Sequence, residues 1–231
     1  MRYALSIHDL RVSGDADTVN TLQALLARFP IPLTVLLVFD RPLEKSPTLL
    51  AFLQAHTSSG LLEVVFHGTT HQCPHSVGRS LAFYHKYQAE YLQESNKLSM
   101  DTQNCFTGAQ RLLGSALGIC PPCWLATASN WKFLRSLAPL YTESLLWIRY
   151  PSKRIFSPVV SLGSPVASEL RWLKILGRLL FGMSRLIPGA RLRVAIHTCD
   201  LAIPDSMTYF TKVLGRLNSR NHSAVLQRHL P

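Results

Sequence analysis

Three short apolar runs in this chain end directly in a histidine or an aspartate, and this repetition restricts the possible folds more than any other feature. The runs cover residues 3–7, 61–66 and 192–196, and the polar residues that follow them are His8 with Asp9, His67, and His197 with Asp200. Runs of this length and composition predict buried β-strands. In α/β folds, parallel strands bring their carboxyl ends to one edge, where functional sites form. The pattern therefore predicts an α/β fold with a single pocket.

Helical patterns alternate with these strands. Strands are predicted over 2–7, 33–39, 61–66, 140–149, 155–161 and 191–197, and helices over 16–28, 46–59, 84–97, 101–117, 130–137, 167–187 and 206–217. Such alternation predicts crossover units in a parallel sheet or barrel. No stretch rich in Gly, Ser or Pro divides the chain, so we expect one domain spanning residues 1–231.

Composition restricts the class of protein and the class of partner. The 231 residues are 47% hydrophobic and 16% charged, which is typical of a compact globular protein and argues against disorder. The net charge of +11 favours an anionic partner such as nucleic acid, an anionic membrane or a phosphate-bearing substrate; the alternative is a basic surface that only keeps the protein in solution. Nucleic acid is disfavoured, because the chain has no block of five Lys or Arg and no zinc-finger spacing.

Two features predict a cytoplasmic protein. The N-terminus runs directly into the first strand without the charged and apolar regions of a secretory signal. Five cysteines, an odd number, are typical of reduced thiols inside a cell.

The spacing of His67 and His71 suggests a metal site. If a helix begins at the end of the preceding strand, residues four apart face the same way, and both imidazoles can reach one ion. Imidazole is the commonest protein ligand for zinc-like ions. On spacing alone, the alternative is a capping or surface coincidence.

Four ordered motifs resemble those of one family. They are His8-Asp9 after the first strand, the His67–His71 pair, the loop Pro121-Pro122-Cys123-Trp124, and the late Ile196-His197. Together they resemble the polysaccharide deacetylases, the NodB-homology, metal-dependent carbohydrate esterases, in a divergent bacterial branch whose first motif reads His-Asp. The resemblance runs from residue 8 to residue 200. It implies a distorted (β/α) barrel with its site at the carboxyl-terminal mouth.

The resemblance also implies a metal centre. It assigns Asp9, His67 and His71 as ligands of a divalent metal, for which zinc is the default. Two histidines and one carboxylate leave positions open for water and substrate, as a catalytic metal requires.

The resemblance implies further roles, with two departures from the family pattern. Position 8 usually holds an Asp that acts as general base, and here His8 takes that place. The alternative is that His8 only packs or forms a hydrogen bond, which leaves Asp200 as the other candidate base. The histidine of the late motif, His197, protonates the leaving amine, and Asp200 orients it. The alternative for His197 is an ordinary histidine at a strand end.

The loop of residues 121–124 implies the oxyanion donor. Proline has no backbone N–H, so Cys123 or Trp124 must supply it. The Arg that the family has in this motif is missing, which fits a neutral base. Trp124 is expected either to stack on a sugar or to be buried.

A basic amphipathic stretch covers residues 171–187. Arg171, Lys174, Arg178 and Arg185 form one stripe on an otherwise apolar helical pattern. It predicts either an outer helix of the barrel or a helix that lies on the anionic inner face of a membrane.

The leading functional hypothesis is a metal-dependent deacetylase of an N-acetylated sugar, nucleotide-linked or lipid-linked, in the cytoplasm. The second is a catalytically lapsed barrel that binds a glycan or associates with a glycosyltransferase. A third is a redox protein that uses Cys120 and Cys123.

Overall fold

The computed structural model describes residues 2–72, 90–92, 95–161, 179 and 191–218. In these parts of the chain, the strands are β1 Arg2–Arg11, β2 Leu33–Val38, β3 Leu62–Phe66, β4 Gly118–Ile119, β5 Thr142–Glu143, β6 Trp147–Arg149, β7 Arg154–Phe156, β8 Val159–Ser161 and β9 Arg191–His197. The helices are α1 Asp15–Arg28, α2 Pro47–Ser58, α3 Asn96–Leu113, α4 Ala128–Ser136, α5 Thr198–Leu201 and α6 Pro204–Asn218.

All these strands belong to one curled sheet with the order β7-β6-β5-β4-β3-β2-β1-β9-β8. The pairs from β9 through β1, β2, β3 and β4 to β5 are parallel, and so is β8 with β9. Only β5, β6 and β7 pair in the antiparallel direction. The carboxyl ends of the parallel strands therefore meet at one edge, and the predicted α/β fold, a distorted barrel, is confirmed.

The two faces of the sheet have different cores, because side chains alternate along a strand. On the outer face, residues such as Leu5, Val35 and Val64 join one large cluster with the helices. On the inner face, a second and smaller cluster contains residues such as Ala4, Val65 and Tyr141. Burying each large aliphatic side chain stabilises the fold by about 1.5–3 kcal/mol.

Arg193 holds together the two ends of the curled sheet. The chain between β7 and β8 donates backbone hydrogen bonds to the turn after β5, for example from Ser157 to Leu146 at 2.8 Å. Arg193 in β9 is 1% exposed; it pairs with the buried Glu143 and donates from Nε to the Ser157 carbonyl at 2.9 Å. A buried arginine is tolerated only with such pairing. Removing one partner of a buried pair typically costs about 3–5 kcal/mol.

Some predicted elements are wrong. The predicted helix over 101–117 starts too late: helix α3 begins at Asn96, where the Ser95 side chain accepts from the N–H of Leu98 at 3.4 Å. It ends at Gly114, whose φ of 61° suits glycine. Of the predicted helix over 84–97, residues 84–89 and 93–94 lie outside the described ranges. The sequence analysis missed the Ser95 cap, because the predicted helix over 84–97 runs through this position.

The predicted strands over 140–149 and 155–161 are also wrong, because each is divided in two. The first forms the hairpin β5–β6, in which the N–H of Ser144 donates to the Trp147 carbonyl at 2.8 Å. Its turn contains no Gly or Pro and so carries no turn signal. The second is interrupted at Pro158, which has no N–H for the sheet.

The predicted helix over 167–187, with its basic stretch over 171–187, lies outside the described residues except for Leu179. Among the helices that the structure describes, none is long and apolar enough to cross a membrane.

Candidate metal centre

Asp9 lies in a bulge of β1. The sequence predicts that this strand ends at Ile7, which is wrong: β1 continues to Arg11. Its pairing with β2 slips between Ile7 and Leu10, so one extra residue is accommodated there, and Asp9 has a φ of 66°. In a regular strand, residues 8 and 9 face opposite sides. The bulge breaks this alternation, so both side chains are available to one pocket.

The pair His67 and His71 is joined by a loop and not by the predicted helix. Gly68 has a φ of 92° and His71 a φ of 52°, both in the left-handed region. A Cβ on Gly68 would lie 2.3 Å from Oε1 of Glu90 and 3.2 Å from Pro122, so only glycine fits. The prediction that both imidazoles face one place holds, although helical periodicity is not the reason.

Glu90 shapes this loop, and the sequence analysis missed it. Its carboxylate accepts from the backbone N–H groups of Thr69 at 2.8 Å, Thr70 at 2.7 Å and His71 at 2.6 Å, and its side chain is fully buried. These three N–H donors satisfy the buried carboxylate oxygens and hold the loop of residues 69–71 in place. Glu90 is 19 residues from His71 and has no local pattern, so only the tertiary structure shows its role.

The three predicted metal ligands converge. Oδ1 of Asp9 is 3.4 Å from Nε2 of His67 and 3.0 Å from Nε2 of His71. One possible ligand atom from each of the three residues lies within 4.8 Å of the others. Nδ1 of His67 donates to the carbonyl oxygen of Cys120 at 2.7 Å, which leaves the lone pair of the neutral ring on Nε2. The donor set fits a divalent first-row metal ion.

Asp9 is ionised in this setting. Burial opposes its charge, but the imidazoles of His67 and His71 beside it outweigh burial and hold the pKa of Asp9 well below its usual range. Metal ligands of this type must be deprotonated, so the environment favours the ligand form of Asp9.

His8 and His197 lie side by side on β1 and β9, with ring centroids 5.0 Å apart. His8 is 2% exposed, and its Nε2 is 3.0 Å from Oγ of Ser6. Burial, followed by the charges of His197 and His67, holds the pKa of His8 well below 6.5. His8 is therefore a neutral imidazole.

His197 differs because Asp200 lies against it. Burial lowers its pKa, but the neighbouring Asp200 carboxylate and the charge of Asp9 outweigh burial, and the net pKa of His197 is raised above 6.5. Oδ2 of the fully buried Asp200 accepts the backbone N–H of His197 at 2.9 Å and lies 3.7 Å from its Nδ1. The two neighbouring imidazoles thus have opposite protonation tendencies.

The loop of residues 121–124 closes one side of this cluster. The ring of Trp124 is half-buried and lies 5.3 Å from that of His8 and 6.3 Å from that of His197, measured between centroids. Its backbone N–H donates to the carbonyl of Pro121 at 2.8 Å. Cys123 and Trp124 have φ values of 56° and 58°, so the loop turns sharply here.

The thiol of Cys120 is unsuited to redox chemistry. Cys120 and Cys123 are not disulfide-bonded, and Cys120 is buried in the inner cluster. Burial raises the pKa of Cys120 well above its ordinary value, whereas reactive cysteines have lowered values. This environment disfavours the redox hypothesis.

Comparisons with known proteins support the fold. No protein-family model matches the chain, and neither does any curated protein. Among solved structures, the allantoinase Puue is 11% identical with a TM-score of 0.59, over 99% of this chain and 89% of that one. A family 4 acetyl xylan esterase from Clostridium thermocellum, in complex with a cobalt ion, is 10% identical with a TM-score of 0.55, over 99% and 89%.

A third similar structure shows that the fold alone does not establish activity. It is a mutant, with restored enzymatic activity, of a CE4 family pseudoenzyme from Bacillus anthracis. Identity is 12% and the TM-score 0.50, over 98% of this chain and 67% of that one. At such identities the likeness concerns the fold, and the predicted resemblance to the polysaccharide deacetylase fold is confirmed.

Proposed function

We propose that this protein is a metal-dependent hydrolase that removes the acetyl group from an N-acetylated sugar. One observation carries the proposal: Asp9, His67 and His71 converge beside a neutral His8 and a protonatable His197. The neighbour named as an acetyl xylan esterase supports an acyl substrate.

Each proposed metal ligand is held by a different part of the fold. The bulge in β1 orients Asp9, and the Cys120 carbonyl orients His67. The loop that Glu90 holds by its backbone N–H groups orients His71. A divalent metal bound there, with zinc as our first choice, supplies an activated water and polarises the acyl oxygen. Rigid support of this kind keeps ligands in productive geometry.

The remaining residues handle protons and the oxyanion. His8, neutral because of its burial, is the proposed proton acceptor, and His197, supported by Asp200, donates a proton to the departing amine. The proposed oxyanion donor is the backbone N–H of Cys123 or of Trp124, and that of Trp124 also donates to the Pro121 carbonyl. A purely packing role for His8, held by Ser6, predicts instead that His8→Asn retains activity.

The substrate is a proposal of its own: a nucleotide-linked or lipid-linked precursor of a cell-envelope glycan, processed in the cytoplasm without nucleic acid. The charge of +11 supports an anionic carrier. The predicted contact of residues 171–187 with an anionic membrane stays a prediction, because that segment lies outside the described residues.

Acetate release tests the proposal. The purified chain is stripped with a chelator, reloaded with zinc or cobalt, and assayed on N-acetylhexosamine nucleotides and lipid-linked N-acetylhexosamines. We expect acetate release that a chelator abolishes and added metal restores. If the purified chain binds no divalent ion in a stoichiometric amount, the proposed function is wrong.

The second candidate is a barrel without catalytic activity that binds a glycan or associates with a glycosyltransferase. The presence of His8 in the place of the family's aspartate favours it. It predicts glycan binding without acetate release. It also predicts that His67→Ala leaves glycan affinity unchanged.

A further inference from the structure

A groove of about 440 Å³ opens beside the metal centre, between α4 and the strands β5 to β7. Its walls carry the aromatic residues Trp124, Trp131 and Trp147 and the cations Arg135, Arg149 and Arg154. Its volume is in the range of small-ligand sites. Trp124 belongs both to this groove and to the metal centre, where its ring lies against His8. The groove and the proposed reaction site therefore share Trp124 as a wall.

Two of these arginines face each other directly. In the antiparallel pair β6–β7, Arg149 lies opposite Arg154, so the two side chains occupy the same face of the hairpin. Like charges in such a position repel and destabilise the pair. Within the part of the chain that the structure describes, neither residue forms an ion pair with a carboxylate, and no Asp or Glu lines the groove. An anion in the groove would relieve this repulsion.

Aromatic rings position two of the guanidinium groups. Cζ of Arg154 lies 4.0 Å from the ring centroid of Trp147, and Cζ of Arg135 lies 5.8 Å from that of Trp131. A guanidinium stacked on a ring is held in place while its N–H edges stay available for a bidentate oxyanion. All three arginines are exposed, whereas the two tryptophans are half-buried. The groove thus combines oriented cations with flat apolar surfaces.

We propose that this groove binds an anionic group of the substrate, a phosphate ester or a carboxylate attached to the acylated sugar. The inference rests on the proposed function, because it assigns the acetyl group to the metal centre and the anion to the groove. The tryptophan faces contact the sugar part, and Arg149 and Arg154 bind the oxyanion.

Calorimetric binding tests this without requiring turnover. Three probes are compared: N-acetylglucosamine, N-acetylglucosamine 1-phosphate, and the uronic acid of N-acetylglucosamine. We expect an anionic probe to bind at least about tenfold more tightly than the neutral sugar, as one or two charge-assisted hydrogen bonds provide. The order of the two anionic probes distinguishes a phosphate from a carboxylate substrate.

Matched variants locate the effect. Arg149→Ala with Arg154→Ala removes two positive charges from the groove, and we expect it to abolish the preference for the anionic probe. Arg28→Ala with Arg111→Ala removes two exposed arginines that do not line the groove, and we expect it to keep the preference. Arg149→Lys with Arg154→Lys keeps the charge and should retain part of the preference. A circular dichroism spectrum checks that each variant is folded.

Two results would overturn the inference: equal affinity of the native chain for all probes, or a preference that survives in the Arg149→Ala, Arg154→Ala variant. Acetate release is measured in parallel on the same probes. A groove preference without acetate release would contradict the proposed hydrolase and leave the anion site standing. Acetate release without a preference for the anionic probes would contradict the anion site and leave the proposed hydrolase standing.

Discussion

The inner face of the sheet carries two buried polar clusters that are satisfied in different ways. At the amino end of β3, the two carboxylate oxygens of Glu63 accept hydrogen bonds from the Tyr141 hydroxyl at 2.7 Å and the Thr34 hydroxyl at 3.0 Å. At the carboxyl end, four residues further along, His67 faces His71 and Asp9. In the first cluster, donors face acceptors. In the second, a carboxylate oxygen converges with the Nε2 atoms of two imidazoles, which are acceptors in the tautomer that binds a metal ion.

The difference shows which buried polar cluster is a candidate site. Burial, reinforced by the charge of Glu63, raises the pKa of Tyr141 well above its ordinary value, so it stays a hydrogen-bond donor and the cluster is complete within the protein. The convergence of acceptors at the other end is favourable only with a proton or a cation between them. Both clusters are buried. They differ in whether hydrogen-bond donors face acceptors or acceptors face one another.

The largest effect is expected where the acceptors converge. His67→Ala should lose the bound metal and lower acetate release by more than about 10²-fold, because residues that merely support metal ligands already contribute about 10–100-fold. Metal content by mass spectrometry and chelator-sensitive acetate release measure this. If His67→Ala still binds one metal ion per chain, the cluster around His67 is not the metal site that distinguishes it from the cluster around Glu63.

A smaller loss is expected from Glu90→Ala. It removes the acceptor of three backbone N–H groups and releases the loop that carries His71, so metal affinity should fall about 10–100-fold. Glu90→Gln is the matched control, since it keeps the shape and an oxygen acceptor and should lose less. Titration with zinc against a competing chelator measures both, and equal affinities for the native chain and Glu90→Ala would contradict the role of Glu90.

Asp200→Asn should change the pH profile more than the rate at the optimum. A proton donor works while it is protonated, so the raised pKa of His197 extends activity to higher pH. Removing the Asp200 charge lowers that pKa, and the alkaline limb of activity should move to lower pH. His197→Gln, as a control, should abolish that limb and cost about 10²-fold or more. If the alkaline limb of the pH profile stays at the same pH in Asp200→Asn, the pKa of His197 does not determine that limb.

The smallest effect on activity is expected at the other cluster. Glu63→Gln mismatches one of its hydrogen bonds and should lower the free energy of unfolding by about 1–3 kcal/mol. Metal content and acetate release per folded molecule should stay at native levels. Urea denaturation measures the stability, and metal analysis measures the metal content. Loss of metal in Glu63→Gln would show that the metal centre depends on the Glu63 cluster and would contradict the distinction between the two.

Particular residues show how far local patterns reach. Strand β3 and the helix start at Pro47 follow from apolar runs and a proline at the first helical position, because these depend on neighbours in sequence. Glu90 and Arg193 escaped prediction, because their partners lie 19 or more residues away. The bulge at Asp9 also escaped it, since a slip in pairing is defined by the neighbouring strand.

The sequence by itself determined the alternation of strands and helices, the order of the motifs, and which side chains have metal-binding chemistry. Only the tertiary structure decided that Asp9 turns toward the histidines, that a loop around Glu90 brings His71 to His67, and that Asp200 and burial give His197 and His8 opposite protonation tendencies. The physical reason is range. Residue type and periodicity act over a few positions, whereas convergence and electrostatic environment arise between groups that the fold brings together.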